Sequence, residues 1–426
     1  MNKFWLTTLG CKINQYESES IRQSWIKKGM QPAEKEEDAD IVVVNSCAVT
    51  AAALRDLRQT VRHINRYNPE GKIIVTGCAA QVFAAELAEL PGVVEVIPQE
   101  RKAELLCGPL EREGACCSEN VFAPFSIDDY QRARAVVKVQ DGCSHRCTYC
   151  IVPITRGKSI SRPIEDILKE IKRLLDAGFR EMIISGINLS HYGRDIDDRP
   201  DFWDLMEEIE QNFGAEWKGR ARLRISSLEP GQLHERALEI FKKSSLICPQ
   251  LHLSLQSGDA EVLKRMGRGH YKPEDVLDFL ESLKTIWPVF GLGADILTGF
   301  PGETEQEFQN TLEFCHKLPL SYAHVFPYSL RPGTAAAKMP GHLPDKIKKA
   351  RAAQLREVVK NKKSKFIKEL TSLNSLHVLV QDGEVGVCEY YTTCKIVECT
   401  QNPESRSLVK VKPLGIEGDK ILAACV

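Results

Sequence analysis

From residue 1 to about 106, short apolar, β-branched runs alternate with longer stretches of helical length. The runs are FWLTTL (4–9), IVVVN (41–45), KIIVT (72–76) and VVEVI (93–97), with helix-length segments near 15–28, 50–66 and 80–90. Parallel strands need a crossover and a helix supplies one, so this alternation predicts a small α/β unit with a mainly parallel sheet. A second alternation starts near residue 134, with strand-like runs at 135–140, 181–185, 221–226, 251–256, 293–297 and 322–326. Ile167, Leu168, Ile171, Leu174 and Leu175 recur at helical spacing within 164–177. Six β/α units predict a partial (β/α)6 barrel of TIM type, whose site lies at the carboxyl ends of its strands. Residues 107–133 are polar, without period, and read as a linker. A long helix is expected over 345–368, with Ile347, Leu355, Val358, Val359 and Phe366 on one side. Past it come short strands and turn residues, the pattern of a small all-β barrel. The expected organisation is 1–106, linker 107–133, barrel plus basic helix 134–368, and terminal barrel 369–426.

A chain of 426 residues is too long for one ordinary domain, in keeping with that division. No apolar run approaches the ~20 residues of a membrane-spanning helix. The opening MNKFWLTTLGC has a short apolar segment interrupted by Thr7 and Thr8, and reads as a first strand, not a lipoprotein leader. Fifteen cysteines without an export signal point to a reducing cytoplasm, where they act as ligands or buried small hydrophobes. Cys248, Cys315, Cys388, Cys394, Cys399 and Cys425 sit singly in apolar surroundings and are expected to be buried; Cys107, Cys116 and Cys117 fall in or near the linker and receive no role. The net charge of −1 argues against nonspecific nucleic-acid binding, but residues 131–162 hold seven Lys or Arg against one Asp, and 345–368 ten against two. These runs and the terminal barrel suggest a track for RNA.

Two sets of three cysteines carry the chemistry. In the first unit, the first three strand runs are followed within one or two residues by Gly10-Cys11, Ser46-Cys47 and Gly77-Cys78. Carboxyl ends of parallel strands share one sheet edge, so Cys11, Cys47 and Cys78 should converge there as a ligand triad. In the second, GCSHRCTYC (142–150) places Cys143, Cys147 and Cys150 directly after the first barrel strand. Three thiolates hold three corners of a four-iron cluster and leave one iron open; zinc would want a fourth ligand, which His145 is poorly placed to supply. Polar residues at other strand ends, among them Asn188 and Gln256, fit contacts to a bound cofactor, while Gly299 and Gly302 would let backbone approach it.

The C-x3-C-x2-C spacing, with Tyr149 before its last cysteine, resembles the radical S-adenosylmethionine superfamily. With TLGCKINQYESE, VVNSCAVT, VTGCAAQ, VKVQDGCSHRCTYCIVPITRG, ISSLEP, HLSLQSG and LTGFPGETEQEF, the chain resembles the methylthiotransferases throughout its length. The resemblance implies two [4Fe–4S] clusters, an auxiliary one on Cys11, Cys47 and Cys78 and a radical one on Cys143, Cys147 and Cys150. It also implies two S-adenosylmethionine per turnover and a C-terminal RNA-binding TRAM domain. TLGCKINQYESE looks most like the branch acting on C2 of N6-threonylcarbamoyladenosine at position 37 of tRNA, beside the anticodon. That branch implies the anticodon stem-loop as partner, an electron donor such as flavodoxin or ferredoxin, and a sulfur source that the resemblance does not name. Ser144, His145 and Arg146 depart from the residues often found inside the radical loop. Alternatives are the N6-isopentenyladenosine branch, the branch modifying an aspartate of a ribosomal protein, and a non-catalytic iron–sulfur RNA-binding sensor.

Overall fold

A computed structural model describes residues 3–110, 121–399 and 402–426. The first sheet contains β1 (Lys3–Thr8), β2 (Gln31–Pro32), β3 (Ile41–Ser46), β4 (Lys72–Gly77) and β5 (Val93–Pro98), all parallel, in the order β2-β1-β3-β4-β5. Helices Lys12–Lys27 and Ala51–Tyr67 make the long crossovers. Every residue of β3 is buried, as required of a central strand covered on both faces. The helix expected over 80–90 is two short ones, Cys78–Val82 and Ala84–Ala88, parted at Phe83, whose ψ of 29° leaves the helical range.

The second unit has β6 (Ala135–Asp141), β7 (Ile160–Ser161), β8 (Glu181–Gly186), β9 (Arg222–Ile225), β10 (Ser227–Leu228), β11 (Gln250–Gln256), β12 (Gly291–Thr298) and β13 (Tyr322–Pro327). Sheets β7-β6-β8-β9 and β10-β11-β12-β13 are joined through Ser226 into one curved, open barrel wall, with β7 as a short antiparallel edge. Leu251, Leu253 and Leu255 of β11 enter the core beneath the surrounding helices, so Gln250 and His252 face inward by alternation.

The first unit packs on the β6 side of this wall. Helix Lys12–Lys27 packs against β6, and its Glu17 is fully buried among three cations. Glu17 accepts from Lys102 at 2.7 Å, Lys138 at 2.7 Å and Arg156 at 2.9 Å, while Arg156 also binds Asp141 at 2.8 Å and Asn14 at 2.5 Å. Much of the basic run 131–162 is therefore internal. Lys138, Arg156 and Arg162 are buried in ion pairs, and Arg134 lies over Tyr391, which leaves Arg132, Arg146 and Lys158 exposed.

Past the helix Asp345–Thr371, strands β14 (Leu376–Asp382), β15 (Val385–Cys388), β16 (Thr393–Glu398), β17 (Leu408–Glu417) and β18 (Lys420–Cys425) close a barrel in the order β14-β15-β16-β18-β17. It docks at the start of β9 and not at the mouth of the large barrel. Arg222 donates to the carbonyls of His377 and Val387, and Arg224 to those of Cys388 and Glu389, while both arginines share the buried Glu181.

Three further expectations change. Residues 121–133 are packed: Phe125, Ile127 and Tyr130 are buried, and the Tyr16 hydroxyl donates to the Phe125 carbonyl at 2.8 Å. Cys248, Cys315, Cys388 and Cys394 are buried thiols, but Cys399 and Cys425 are joined by a disulfide because their Cα atoms lie 5.0 Å apart on neighbouring strand ends. Ile347 is exposed, whereas Leu355, Val359 and Phe366 are buried. Cys107 is a half-buried free thiol; Cys116 and Cys117 lie outside the described residues. Among the described residues, no helix is long and apolar enough to cross a membrane.

Candidate active site

Cys11, Cys47 and Cys78 each follow a parallel strand, β1, β3 and β4, on one sheet edge. Glycine lets the loops close on each other. A Cβ on Gly10 would stand 2.8 Å from Cys47 Cβ, and one on Gly77 would stand 2.3 Å from the Ser46 carbonyl. Both residues have positive φ, +134° and +97°, which a larger residue would resist. Burial first, with the charges of Cys78 and Cys11 adding to it, raises the Cys47 thiol to about 11, so the three sulfurs share one electrostatic site.

The second triad is held as firmly. The Cys143 amide donates to the Gly157 carbonyl, the Cys150 amide to that of Cys147, and the Thr148 amide to that of Met266. Burial pushes Cys150 up to about 12, with Cys147 and Cys143 adding to the rise, and burial also raises Cys147. Asn188 Nδ2 lies 3.5 Å from Cys143 Sγ and Arg268 Nη1 3.9 Å from Cys147 Sγ, donors of the kind that stabilise sulfur carrying negative charge.

These sites fit iron–sulfur clusters better than single ions. Among the described residues, the one group of ligand atoms all within 4.8 Å of each other is His252, Asp295 and His324, so neither cysteine triad is that compact. A tetrahedral zinc with bonds of about 2.3 Å would draw its sulfurs to about 3.8 Å apart. The two triads also meet. Helix Cys78–Val82 packs against helix Val152–Arg156, which follows Cys150, and Arg331 reaches the Ala48 carbonyl beside Cys47 at 3.4 Å. Exposed Val49, Ile154 and Leu330 lie close in sequence to Cys47, Cys150 and Arg331 and give this region an apolar rim.

The other candidates take distinct places. Asn188 is fixed three ways: its amide donates to Gln140 Oε1, its Oδ1 accepts from Ser190, and its Nδ2 points at Cys143. Gln256 ends β11 at φ +65°, a strained conformation for a non-glycine residue and common at functional sites. Tyr149 packs with Met266, Phe300 and Tyr328, and burial holds its phenol protonated. Gly299 donates to Glu303, and a Cβ there would strike Lys348; Gly302 has open space and needs glycine for its φ of +74°.

Sequence reasoning missed Arg268, which links Cys147 to Glu229 at 2.5 Å, and the imidazoles of His191 and His270, packed 4.6 and 5.1 Å from His145. ISSLEP contains Glu229, but its partner lies 39 residues on, and no local pattern connects them.

A partial β/α barrel with a three-cysteine loop at its mouth is the architecture of a radical enzyme, and residues 137–315 match the Radical SAM superfamily. Residues 3–98 match a family described as Uncharacterized protein family UPF0004. The chain is 37% identical to threonylcarbamoyladenosine tRNA methylthiotransferase MtaB of Bacillus subtilis (strain 168), over 82% of this chain and 78% of that relative. It is 35% identical to the enzyme of the same name from Aquifex aeolicus (strain VF5), over 91% and 95%. Among solved structures, the radical S-adenosylmethionine methyltransferase TsrM from Kitasatospora setae shares the fold at TM-score 0.57 and 16% identity, over 79% of this chain and 75% of that one. The chain belongs to the radical SAM tRNA methylthiotransferase family. Membership brings a [4Fe–4S] cluster and S-adenosylmethionine.

Proposed function

We propose that this chain methylthiolates C2 of N6-threonylcarbamoyladenosine at position 37 of tRNA, using two [4Fe–4S] clusters, one on Cys143, Cys147 and Cys150 and one on Cys11, Cys47 and Cys78. The observation that carries the reading is the packing of the Cys78 helix on the helix after Cys150, which turns two thiol triads toward one region. When bound, the clusters and S-adenosylmethionine supply hydrogen abstraction from an unactivated C–H bond and the sulfur that replaces the hydrogen. The target carbon offers no acidic proton, so a general base alone could not do this.

The protein's own part is placement. Asn188 and Arg268 donate toward the radical triad, and Glu229 neutralises the buried guanidinium of Arg268. Glu17, Arg156 and Asp141 lock the first unit onto the barrel, so the two sulfur sites keep a fixed separation. Val49, Ile154 and Leu330 offer apolar surface for a flat base. Tyr149, Gln256, Gly299 and Gly302 are assigned to S-adenosylmethionine. The relatives named for threonylcarbamoyladenosine support the choice of branch. The reading places the protein in the cytoplasm, with a flavodoxin or ferredoxin as electron donor.

Anaerobic reconstitution should give about eight irons, one four-iron cluster per triad. Replacing Cys143, Cys147 and Cys150 by alanine should leave about half the iron and abolish 5′-deoxyadenosine. The same change at Cys11, Cys47 and Cys78 should leave 5′-deoxyadenosine and abolish methylthiolation, read by mass spectrometry of tRNA nucleosides. Methylthiolated tRNA from the second variant would remove the auxiliary cluster from the sulfur route.

A further inference from the structure

Inside the barrel, below the strand ends that carry the cysteines, lies a polar layer the reaction does not account for. His252 on β11, Asp295 on β12 and His324 on β13 bring their ligand atoms within 4.8 Å of one another. His252 is buried, Asp295 is half-buried and His324 is exposed, so the layer is open to water on the β13 side. The layer is built to this shape. A Cβ on Gly293 would stand 2.1 Å from the Tyr322 ring and 2.5 Å from His252 Nδ1, so only glycine lets these rings lie together.

A metal ion is the obvious occupant, but the hydrogen bonds argue against it. His252 Nδ1 is 3.0 Å from the Tyr322 hydroxyl, and its Nε2 is 3.1 Å from Asp295 Oδ1. With tyrosine donating to Nδ1 and Nε2–H donating to the carboxylate, both ring nitrogens are used and no lone pair remains for a metal. Asp295 keeps a second oxygen and His324 keeps its ring nitrogens.

A cation lies within electrostatic reach of the layer. Lys12, next to Cys11, keeps an exposed side, and its charge acts most on Tyr391 and also on Asp295 and His324. Among the described residues, no carboxylate lies within ion-pair distance of it. Its other charged neighbours are Arg134 and Arg224, stacked on Tyr391 at 5.4 and 5.2 Å and committed to Glu181. The layer thus presents an unpaired ammonium and an imidazole beside one carboxylate acceptor. That set complements a ligand bearing a carboxylate and a hydroxyl.

We infer that this layer is the pocket for the N6 substituent of the substrate, with Lys12 and His324 holding its carboxylate and Asp295 accepting from its hydroxyl. The inference rests on the proposed threonylcarbamoyladenosine reading and assigns it specificity-determining residues.

The test uses the cluster-loaded protein and anticodon stem-loop RNA carrying threonylcarbamoyladenosine, its methyl ester, or the glycyl analogue that lacks the hydroxyl, all with EDTA present. Wild type should favour acid over ester by about ten- to a hundredfold in kcat/KM, the range of a charge-assisted hydrogen bond. Lys12→Met should bring that ratio to within about twofold, and Lys12→Arg should keep most of it. Asp295→Asn should lower the threonyl-to-glycyl ratio instead. Each comparison is a ratio within one variant, so partial cluster loss cancels, and His324→Ala serves if Lys12→Met does not assemble. A wild type inert on all three RNAs would overturn the substrate reading itself. An active wild type without acid preference, or a Lys12→Met that keeps the preference, would overturn the pocket alone. A preference that appears only when EDTA is replaced by a divalent cation would overturn it in favour of a metal bridge.

Discussion

His191 shows how one side chain by the radical loop couples charge to fold. It is 1% exposed, and its Nδ1 accepts from the Ser159 hydroxyl at 2.7 Å and the Ser144 amide at 3.3 Å, an arrangement that suits the neutral ring. Burial first, then Arg194 and His145, hold it at about 4, against 6.5 for a free imidazole. Burial lowers His145 and His270 as well. Between pH 6.5 and 4 the unfolded chain therefore binds the proton that folded His191 refuses, so stability falls as pH falls through that window, by up to about 3 kcal/mol from this residue. Urea unfolding midpoints measured from pH 7 to pH 4 should drop for wild type and drop less for His191→Asn. Parallel curves would mean that His191 is neutral in both states.

At the scale of an element, helix Lys12–Lys27 is defined less by its own sequence than by what Glu17 meets. The helix has no side-chain N-cap and no acidic first turn, so little local preference holds it. Its docking depends on a buried cluster in which Glu17 and Asp141 face Lys102, Lys138 and Arg156. The cations hold Glu17 well below the ordinary carboxyl range despite its burial. Glu17→Gln keeps the shape but strands buried positive charge, and breaking such a cluster costs about 3–5 kcal/mol. Thermal unfolding should shift down accordingly, and the variant should lose coupling between the two units. 5′-Deoxyadenosine should still form, while methylthio transfer per 5′-deoxyadenosine should fall. Unchanged melting would show that the cluster is not what joins them.

Over the whole molecule, RNA binding must use charges the fold leaves free. On helix Asp345–Thr371, Lys362 donates to the His316 and Leu318 carbonyls, Lys363 pairs with Asp419, Arg351 with Glu303, and Arg356 caps the Val325 carbonyl. Lys360, Lys365 and Lys368 are exposed, and among the described residues no ion pair ties them. Reversing these three to glutamate should leave melting unchanged, weaken tRNA binding and reduce the log–log salt slope by about 2, at ~0.7 per phosphate on single-stranded RNA. Reversing Lys362 and Lys363 should instead destabilise the junction with the terminal barrel. If affinity is indifferent to the first triple variant, the RNA track runs elsewhere.

Much of this was legible in the chain, because strand and helix periods are local and metal-type ligands announce themselves by residue type. The strands at 4–8, 41–45, 72–76, 135–140, 181–185, 251–256 and 293–297 stand where the apolar runs predicted them. Cys11, Cys47, Cys78 and Cys143 fall just past a strand, since a parallel sheet forces its carboxyl ends to one edge, and Cys147 and Cys150 belong to the loop that Cys143 opens. Charge was misread for the opposite reason. A run of Lys and Arg looks the same whether solvated or buried; the arrival of Glu17 from a distant segment decided that Lys138 and Arg156 are internal, and Glu170, on the next helix, did the same for Arg162. Likewise, the Arg268–Glu229 link to Cys147, the Cys399–Cys425 pair and the layer of Lys12, His252, Asp295 and His324 join residues far apart in sequence. The elements and the thiol donors follow from the order of residues alone, because they depend on neighbours a few positions away. Which charges are spent on the fold and which remain for a ligand emerges from the packing of distant segments, because that packing sets pairing and burial.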